Sequence, residues 1–293
     1  MTVFCVGIAV LDRVYAVSEL PCGPGKQLAR GYRETGGGMA ATAALAVALL
    51  GGQASWCGPL GEDAAGRFLL DSLAQGGVDT SSARVLPGVR TPISVVLVEP
   101  GGERCLLLDR NPQLALASPR ALPPDVGAVL ADPRFAAPAQ AVLSMARTSG
   151  VPGVLDAEVA AAEDLPALVE AASHPVFSRA GLRELTGEAD PGAGLRRVGR
   201  DGAGVTLGPE GSLFLVEGRL HQVPTRPVAA LDTTGCGDVF HGAFALGLAE
   251  GMAVLQAARF ATAAASSKAE SGQGWAGLPT RDVVDRLLTA GWG

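Results

Sequence analysis

Apolar and polar positions change period repeatedly along the chain, and the changes mark the expected elements. Thr2–Val10 is enriched in Val and Ile and reads as a first strand, running into Leu11-Asp12-Arg13. Val14–Glu34 keeps no helical period. Pro21, Gly23, Pro24 and Gly25 interrupt short β-prone pieces there, as in strands of a flap standing off a main sheet. Pro92–Val98 and Cys105–Leu108, joined through Pro100-Gly101-Gly102, supply a hairpin that completes such a flap. Thr35–Gly51, TGGGMAATAALAVALLG, places three glycines ahead of a small-residue helix. β-like pieces recur at Pro124–Ala131, Val151–Leu155 and Pro175–Phe177. Gly204–Leu207 and Ser212–Val216 flank the turn Gly208-Pro209-Glu210-Gly211. Helical stretches fall near Ala136–Ser149, Glu163–Ser173 and Gly181–Thr186. This alternation predicts an α/β protein, a parallel sheet with helices on both faces.

Composition narrows the classes. A chain of 293 residues is one large α/β domain or two smaller ones. With 48% hydrophobic and 18% charged residues it builds a core and is not disordered. A net charge of −6 without a basic tract argues against nucleic acid and anionic membranes as partners. The longest apolar run, Ala40–Leu50, is too short to span a bilayer and contains Thr42. MTVFCVGIAV lacks a basic leader region, so it reads as a strand and not a signal peptide. Cys5, Cys22, Cys57, Cys105 and Cys236 form no CxxC or Cys/His cluster, which fits reduced thiols in a cytoplasm. Only two of the 23 basic residues are lysines, Lys26 and Lys268, so each draws scrutiny.

The densest chemistry lies in Leu231–Glu250, LDTTGCGDVFHGAFALGLAE. A turn-prone run, Asp232-Thr233-Thr234, leads through Gly235-Cys236-Gly237 to Asp238. Val239, Ala243, Leu246 and Ala249 then fall near one helical face. The glycines permit close backbone approach, and the N–H groups opening a helix converge on anions. A carboxylate beside such a pocket repels its ligand unless it removes a proton from a hydroxyl attacking phosphorus. The alternative is an ordinary capped helix. Cys236 reads either as a nucleophile activated by the helix N-terminus or as a small-residue filler, and the second fits better. Asp12, where the first strand ends, reads as a ligand-binding group or a turn cap. Asp63 reads as the cap of the following helix. Asp156 and Glu158 stand at another expected strand end.

The order Asp-Thr-x-Gly-x-Gly-Asp resembles the C-terminal signature of the ribokinase-like (PfkB) carbohydrate kinases, with Cys236 in place of the usual Ala. The run Gly36-Gly37-Gly38 and its helix resemble the N-terminal signature, with Ala41 in place of the usual Asn. Within the family, GIAVLDRVY, GKQLARGYRETGGGMAATAA, LADPRF, VLDAE and DTTGCGDVFHGA are nearest the sulfofructose kinase branch.

The resemblance implies one ribokinase-like domain over 1–293, a three-layer α/β/α sandwich with a mainly parallel sheet. A small β lid is formed by about 12–35 and 90–110. The resemblance implies transfer of the γ-phosphoryl group of ATP to a primary hydroxyl of a ketose-type sugar, such as the 1-hydroxyl of 6-deoxy-6-sulfofructose. Asp238 would be the general base, and Gly235, Cys236 and Gly237 the anion hole. Asp12, Gly36, Gly37, Gly38, Lys26, Arg30 and Arg134 would meet the sugar; the cations would serve a fixed anion. Thr206, Gly208, Gly211, Thr234 and Ser267 would meet the nucleotide, although 206–211 by itself is equally a hairpin turn. ATP and Mg2+ are the implied cofactors, with a monovalent cation such as K+ as a further option. The usual Asn-x-x-Glu element tied to magnesium falls at Ser178-x-x-Gly181, so no metal ligand is assigned. A homodimer through the lid is implied. Rival readings are a kinase for another sugar, phosphosugar or nucleoside, and a non-catalytic sugar sensor on the same fold. A nicotinamide oxidoreductase ranks last, because no GxGxxG follows the first strand.

Overall fold

The computed structural model describes residues 1–101, 103–109, 111–159 and 164–290. Gly102 of the expected turn and Glu163 of one expected helix lie outside them.

Nine strands form the main sheet. In spatial order they are β15 (Arg219–Val223), β14 (Ser212–Val216), β13 (Gly204–Thr206), β12 (His174–Ser178), β11 (Gly153–Ala157), β10 (Val126–Ala131), β1 (Thr2–Val6), β4 (Gln53–Cys57) and β6 (Val78–Asp79). Pairing is parallel from β6 to β13; β14 and β15 add an antiparallel edge. The central strands β1 and β10 are apolar on both faces, as a sheet covered on both sides requires. Val3 and Cys5 enter one core with the helices α1 (Met39–Leu49), α2 (Ala64–Gln75), α7 (Cys236–Ala249), α8 (Val254–Ser271) and α9 (Arg281–Thr289). Phe4 and Val6 enter the other with α3 (Ala136–Thr148), α4 (Leu165–Ala171), α5 (Arg179–Thr186) and α6 (Pro191–Val198).

The smaller sheet has the order β3 (Gly31–Gly37), β2 (Val10–Ala16), β8 (Ile93–Val98), β9 (Arg104–Asp109). A short parallel pair, β5 (Pro59–Gly61) with β7 (Arg84–Leu86), lies beside α2 in the chain. Asp63 caps α2, accepting from Gly66 N at 2.8 Å, and also accepts from Thr91 N at 2.8 Å.

Two expectations are corrected here. Thr2–Val10 is not one strand: the chain leaves the main sheet at Gly7 and enters the smaller one at Val10. A Cβ at Gly7 would lie 2.0 Å from the Asp132 carboxylate, so a side chain would collide with the group that ties this crossing. The helix after Asp238 is not one-sided either. Phe240, His241, Phe244 and Ala245 are buried along with Val239, Ala243 and Leu246, because α7 packs against both α1 and α8 and against the sheet. Among the described residues no helix is long and apolar enough to cross a membrane.

Candidate active site

Asp132, directly after β10, ties the site's framework together. Its Oδ2 accepts from Ile8 N at 2.7 Å and Ala40 N at 3.2 Å; its Oδ1 accepts from Arg134 N at 3.0 Å. One carboxylate thus joins the crossing between the sheets, the first turn of α1 and the segment bearing Arg134. Burial pushes it up to about 6 even against these donors.

The three glycines before α1 are used differently. Gly38 caps α1 at φ 92°, and a Cβ there would lie 2.6 Å from Ile8 O. A Cβ on Gly37 would lie 2.3 Å from Asp12 Oδ2, and one on Gly36 would lie 2.2 Å from the Trp275 ring. Asp12 and Trp275 therefore lie flat against bare backbone. Trp275 is fixed by its indole N–H, which donates to Thr42 Oγ1 at 2.8 Å.

Asp232 opens the turn before α7 by accepting from Thr234 N at 2.8 Å, an Asx-type closure. Gly235, at φ 76°, occupies the cap position of α7, and no side chain caps the helix. Cys236 N donates back to Thr233 O at 3.2 Å, which leaves the N–H groups of Gly237 and Asp238 to face an incoming anion. Asp238 sits in that first turn. Loss of water around its carboxyl, then the charge of Asp156, pushes it up to about 7. Asp12 is raised to about 6, by loss of water first and also by Asp232. Cys236 is pushed up to about 11, chiefly by burial, so it is a thiol and not an activated thiolate. The buried His241 braces the same turn of helix: its ring nitrogens lie 2.7 Å from Gly237 O and 3.1 Å from Val176 O, and Nδ1 is 3.5 Å from Asp156 Oδ2.

The turn stands between two cavities. The first, about 230 Å³, is lined by Asp12, Gly36, Gly37, Gly38, Thr42, Ser94, Arg134, Thr234, Gly235, Asp238, Lys268 and Trp275, among others. The second, about 700 Å³, is lined by Thr206, Gly208, Gly211, Thr225, Thr233, Cys236, Gly237, Thr262, Ser266 and neighbouring residues. Its volume falls in the range of roughly 300–1,000 Å³ found for small-molecule sites. Within one heptad, Thr234, Gly235 and Asp238 thus line the first space and Thr233, Cys236 and Gly237 the second.

Asp12, the three glycines, Arg134, Gly235 and Asp238 are brought together as the sequence suggests, and Thr206, Gly208, Gly211, Cys236 and Gly237 share the second cavity. Thr234 differs from its expected place and lines the first. Ser267 lines neither; Ser266 lines the second with Thr262, Ala265 and Ala269, because a helix turns its next residue about 100° away. Lys26 and Arg30 are exposed on the segment between β2 and β3 and line neither cavity. Sequence reasoning missed Thr42, Ser94, Trp275, Lys268 and Arg104. Only Lys268 carried a signal, the scarcity of lysine. The segment 272–279 sends Gly274 and Trp275 into the first cavity.

Among the described residues no three His, Cys, Asp or Glu side chains stand close enough to form a metal site. Ser178 caps α5, accepting from Gly181 N at 3.0 Å, and donates to Glu158 Oε1 at 3.1 Å. A Cβ at Gly181 would lie 2.3 Å from Ala157 O, so the altered element is a tightly packed helix start.

The pfkB family carbohydrate kinase model matches residues 2–281. A fructokinase of Klebsiella pneumoniae is 30% identical over 272 residues, 84% of each chain. A crystal structure of a provisionally assigned ribokinase from Agrobacterium tumefaciens superposes with TM-score 0.92 at 37% identity, covering 99% of this chain and 97% of that one. The Arabidopsis thaliana ribokinase complexed with ribose and ATP gives TM-score 0.84 at 26% identity over 98% of each chain.

Proposed function

The chain belongs to the pfkB family of carbohydrate kinases, and we propose that it transfers the γ-phosphoryl group of ATP to a primary hydroxyl of a ketose-type sugar. The observation that carries this reading is the position of Asp238, in the first turn of an uncapped helix between two cavities. The larger cavity takes the nucleotide, with its phosphates toward Cys236 and Gly237. The smaller takes the sugar. Asp12 accepts from sugar hydroxyls, the Gly36–Gly38 backbone lies along the ring, and Trp275 supplies an apolar wall. Asp238 accepts the proton of the attacking hydroxyl, and the N–H groups of Gly235, Gly237 and Asp238 stabilise charge on the group in transit.

Magnesium fits as a companion of ATP. The ion takes one or two carboxylates together with substrate phosphates, so it would arrive with the nucleotide. Glu158 and Asp156, at the end of β11, would hold it, and it would neutralise charge on the phosphates. K+ fits less well, because the buried cation of Lys268 already lines the cavity beside the turn.

The Klebsiella fructokinase favours a ketose. Arg134 in the sugar cavity favours one with a fixed anion, such as 6-deoxy-6-sulfofructose, phosphorylated at its 1-hydroxyl. The smaller sheet acts as the lid through Asp12, Leu106 and Leu108. Leu107, 71% exposed on β9, supports a second copy packing there in a homodimer. The five free cysteines suit a reducing cytoplasm.

The test is ADP release with a panel of ketoses, aldoses, sulfosugars, phosphosugars and nucleosides. Fructose-type acceptors should give the highest kcat/KM, and Arg134→Met should selectively weaken anionic ones. Turnover only with nucleosides or aldopentoses would overturn the ketose assignment. Sugar binding without ADP from any acceptor would make the protein a sensor.

A further inference from the structure

We infer that the ammonium of Lys268 is the fixed monovalent cation of the phosphoryl site, so that turnover needs no K+ or Na+. The inference rests on the kinase reading above and concerns the same site.

Lys268 lies in the last turn of α8 and is 1% exposed. Burying an ammonium is costly unless its surroundings replace water. Here three features do so. Nζ donates to Gly272 O at 3.0 Å. The carbonyl end of α8, an 18-residue helix, carries the negative pole of the helix dipole. The carboxylate of Asp232 lies close by, and its acidity is raised by its hydrogen bonds to Thr234 and by the charges of Lys268 and Arg104.

The surrounding loop is built to keep the ammonium there. Ser271 Oγ donates to Lys268 O at 3.0 Å and also bonds Gly277 O. A Cβ at Gly277 would lie 2.2 Å from Gly272 O, so the chain folds back without spare room. Leu231 N donates to Ala269 O at 2.8 Å, joining the start of the anion-binding turn to the same end of α8. Lys268 also lines the sugar cavity with Thr234, Gly235 and Asp238. Among the described residues only Gly272 O is within hydrogen-bond reach of Nζ, so the ammonium retains donor capacity.

Helix-end carbonyls, a carboxylate and an enclosed position are what a bare monovalent cation needs. The tethered ammonium has the same charge and similar size, and it already occupies the place. A second cation there would meet the first without water to screen it. The option of a K+ cofactor therefore does not fit this chain. The role left to Lys268 is to neutralise Asp232 and hold the turn 232–237 against α8 while phosphate charge arrives.

The experiment compares purified full-length protein in tetramethylammonium and potassium buffers of matched ionic strength, with Mg2+ and ATP present. Turnover on whichever panel sugar is accepted should be the same in both, and so should the thermal midpoint. Lys268→Ala should lose about 10²-fold in turnover in tetramethylammonium, the scale for removing one charge-stabilising donor. K+ or methylammonium should restore part of it and raise the variant's midpoint. Activation or stabilisation of the unmodified protein by K+ would overturn the inference, as would a Lys268→Ala variant of full activity in tetramethylammonium. The thermal comparison needs no turnover, so a chain that phosphorylates no sugar would defeat the kinase reading and still leave this one tested.

Discussion

Arg104, on the outer strand β9 of the smaller sheet, reaches Asp232 of the turn before α7, 128 residues away, with Nη1 3.4 Å from Oδ1. The same guanidinium donates to Thr234 Oγ1. The edge of the smaller sheet is thereby latched to the turn that leads to Asp238. The pair is about one-third exposed on the arginine side, so its worth is modest, roughly 0.2–1 kcal/mol. Arg104→Met should raise the sugar KM up to about fivefold with kcat nearly unchanged. Steady-state kinetics over sugar concentration decides it; an unchanged KM removes the latch.

Asp238→Asn keeps size, but one acceptor oxygen becomes an NH2 donor and the group cannot take a proton. Turnover should fall by ~10²–10⁴-fold, the usual cost of losing a general base. Titration calorimetry should still show ATP and sugar binding. Near-normal activity would rule out the assigned mechanism.

Asp238 also sets a pH dependence. Its carboxyl is raised from 3.8 to about 7, so kcat/KM should fall as pH drops below about 7. The stability effect has the opposite sign. Between those two values the unfolded chain releases a proton that the folded chain keeps. Native stability is therefore lost as pH rises through the window, and the loss is complete above about 7. Asp238→Asn should melt higher than the parent at pH 8, and the gap should narrow toward pH 5. A gap that widens on acidification contradicts the raised carboxyl.

Gly36 leaves no room for a side chain beneath Trp275. Gly36→Ala should cost about 1–3 kcal/mol by overpacking and weaken sugar binding. Adding Trp275→Leu should recover stability but not sugar affinity. Denaturant melts of the single and double variants, with sugar titrations, separate the two effects.

Cys236 is a raised-pKa thiol at the opening of α7. Cys236→Ala should leave turnover largely intact, and thiol-blocking reagents should not inhibit the Ala variant. A dead variant would return the thiol to the mechanism.

Much of this site could be read before any coordinates. The order Asp232-Thr233-Thr234-Gly235-Cys236-Gly237-Asp238 specifies a helix start without a side-chain cap, because turn, positive φ and first-turn acid are all local properties. The cap at Asp63 and the parallel α/β layering were legible for the same reason. The division of Thr2–Val10 was not: both halves are equally strand-like, and only the Asp132 carboxylate, meeting Gly7 from β10, separates them.

What the sequence determined by itself was the local form of short segments: a turn opening a helix, an acid in its first turn, and glycine where backbone must stay bare. The tertiary structure decided which charges share a space. It put Arg134, Lys268 and Trp275 beside Asp238, left Lys26 and Arg30 in solvent, and exchanged Ser267 for Ser266. Those outcomes depend on sheet order, helix rotation and burial, which relate residues far apart in the chain and leave no mark on their immediate neighbours.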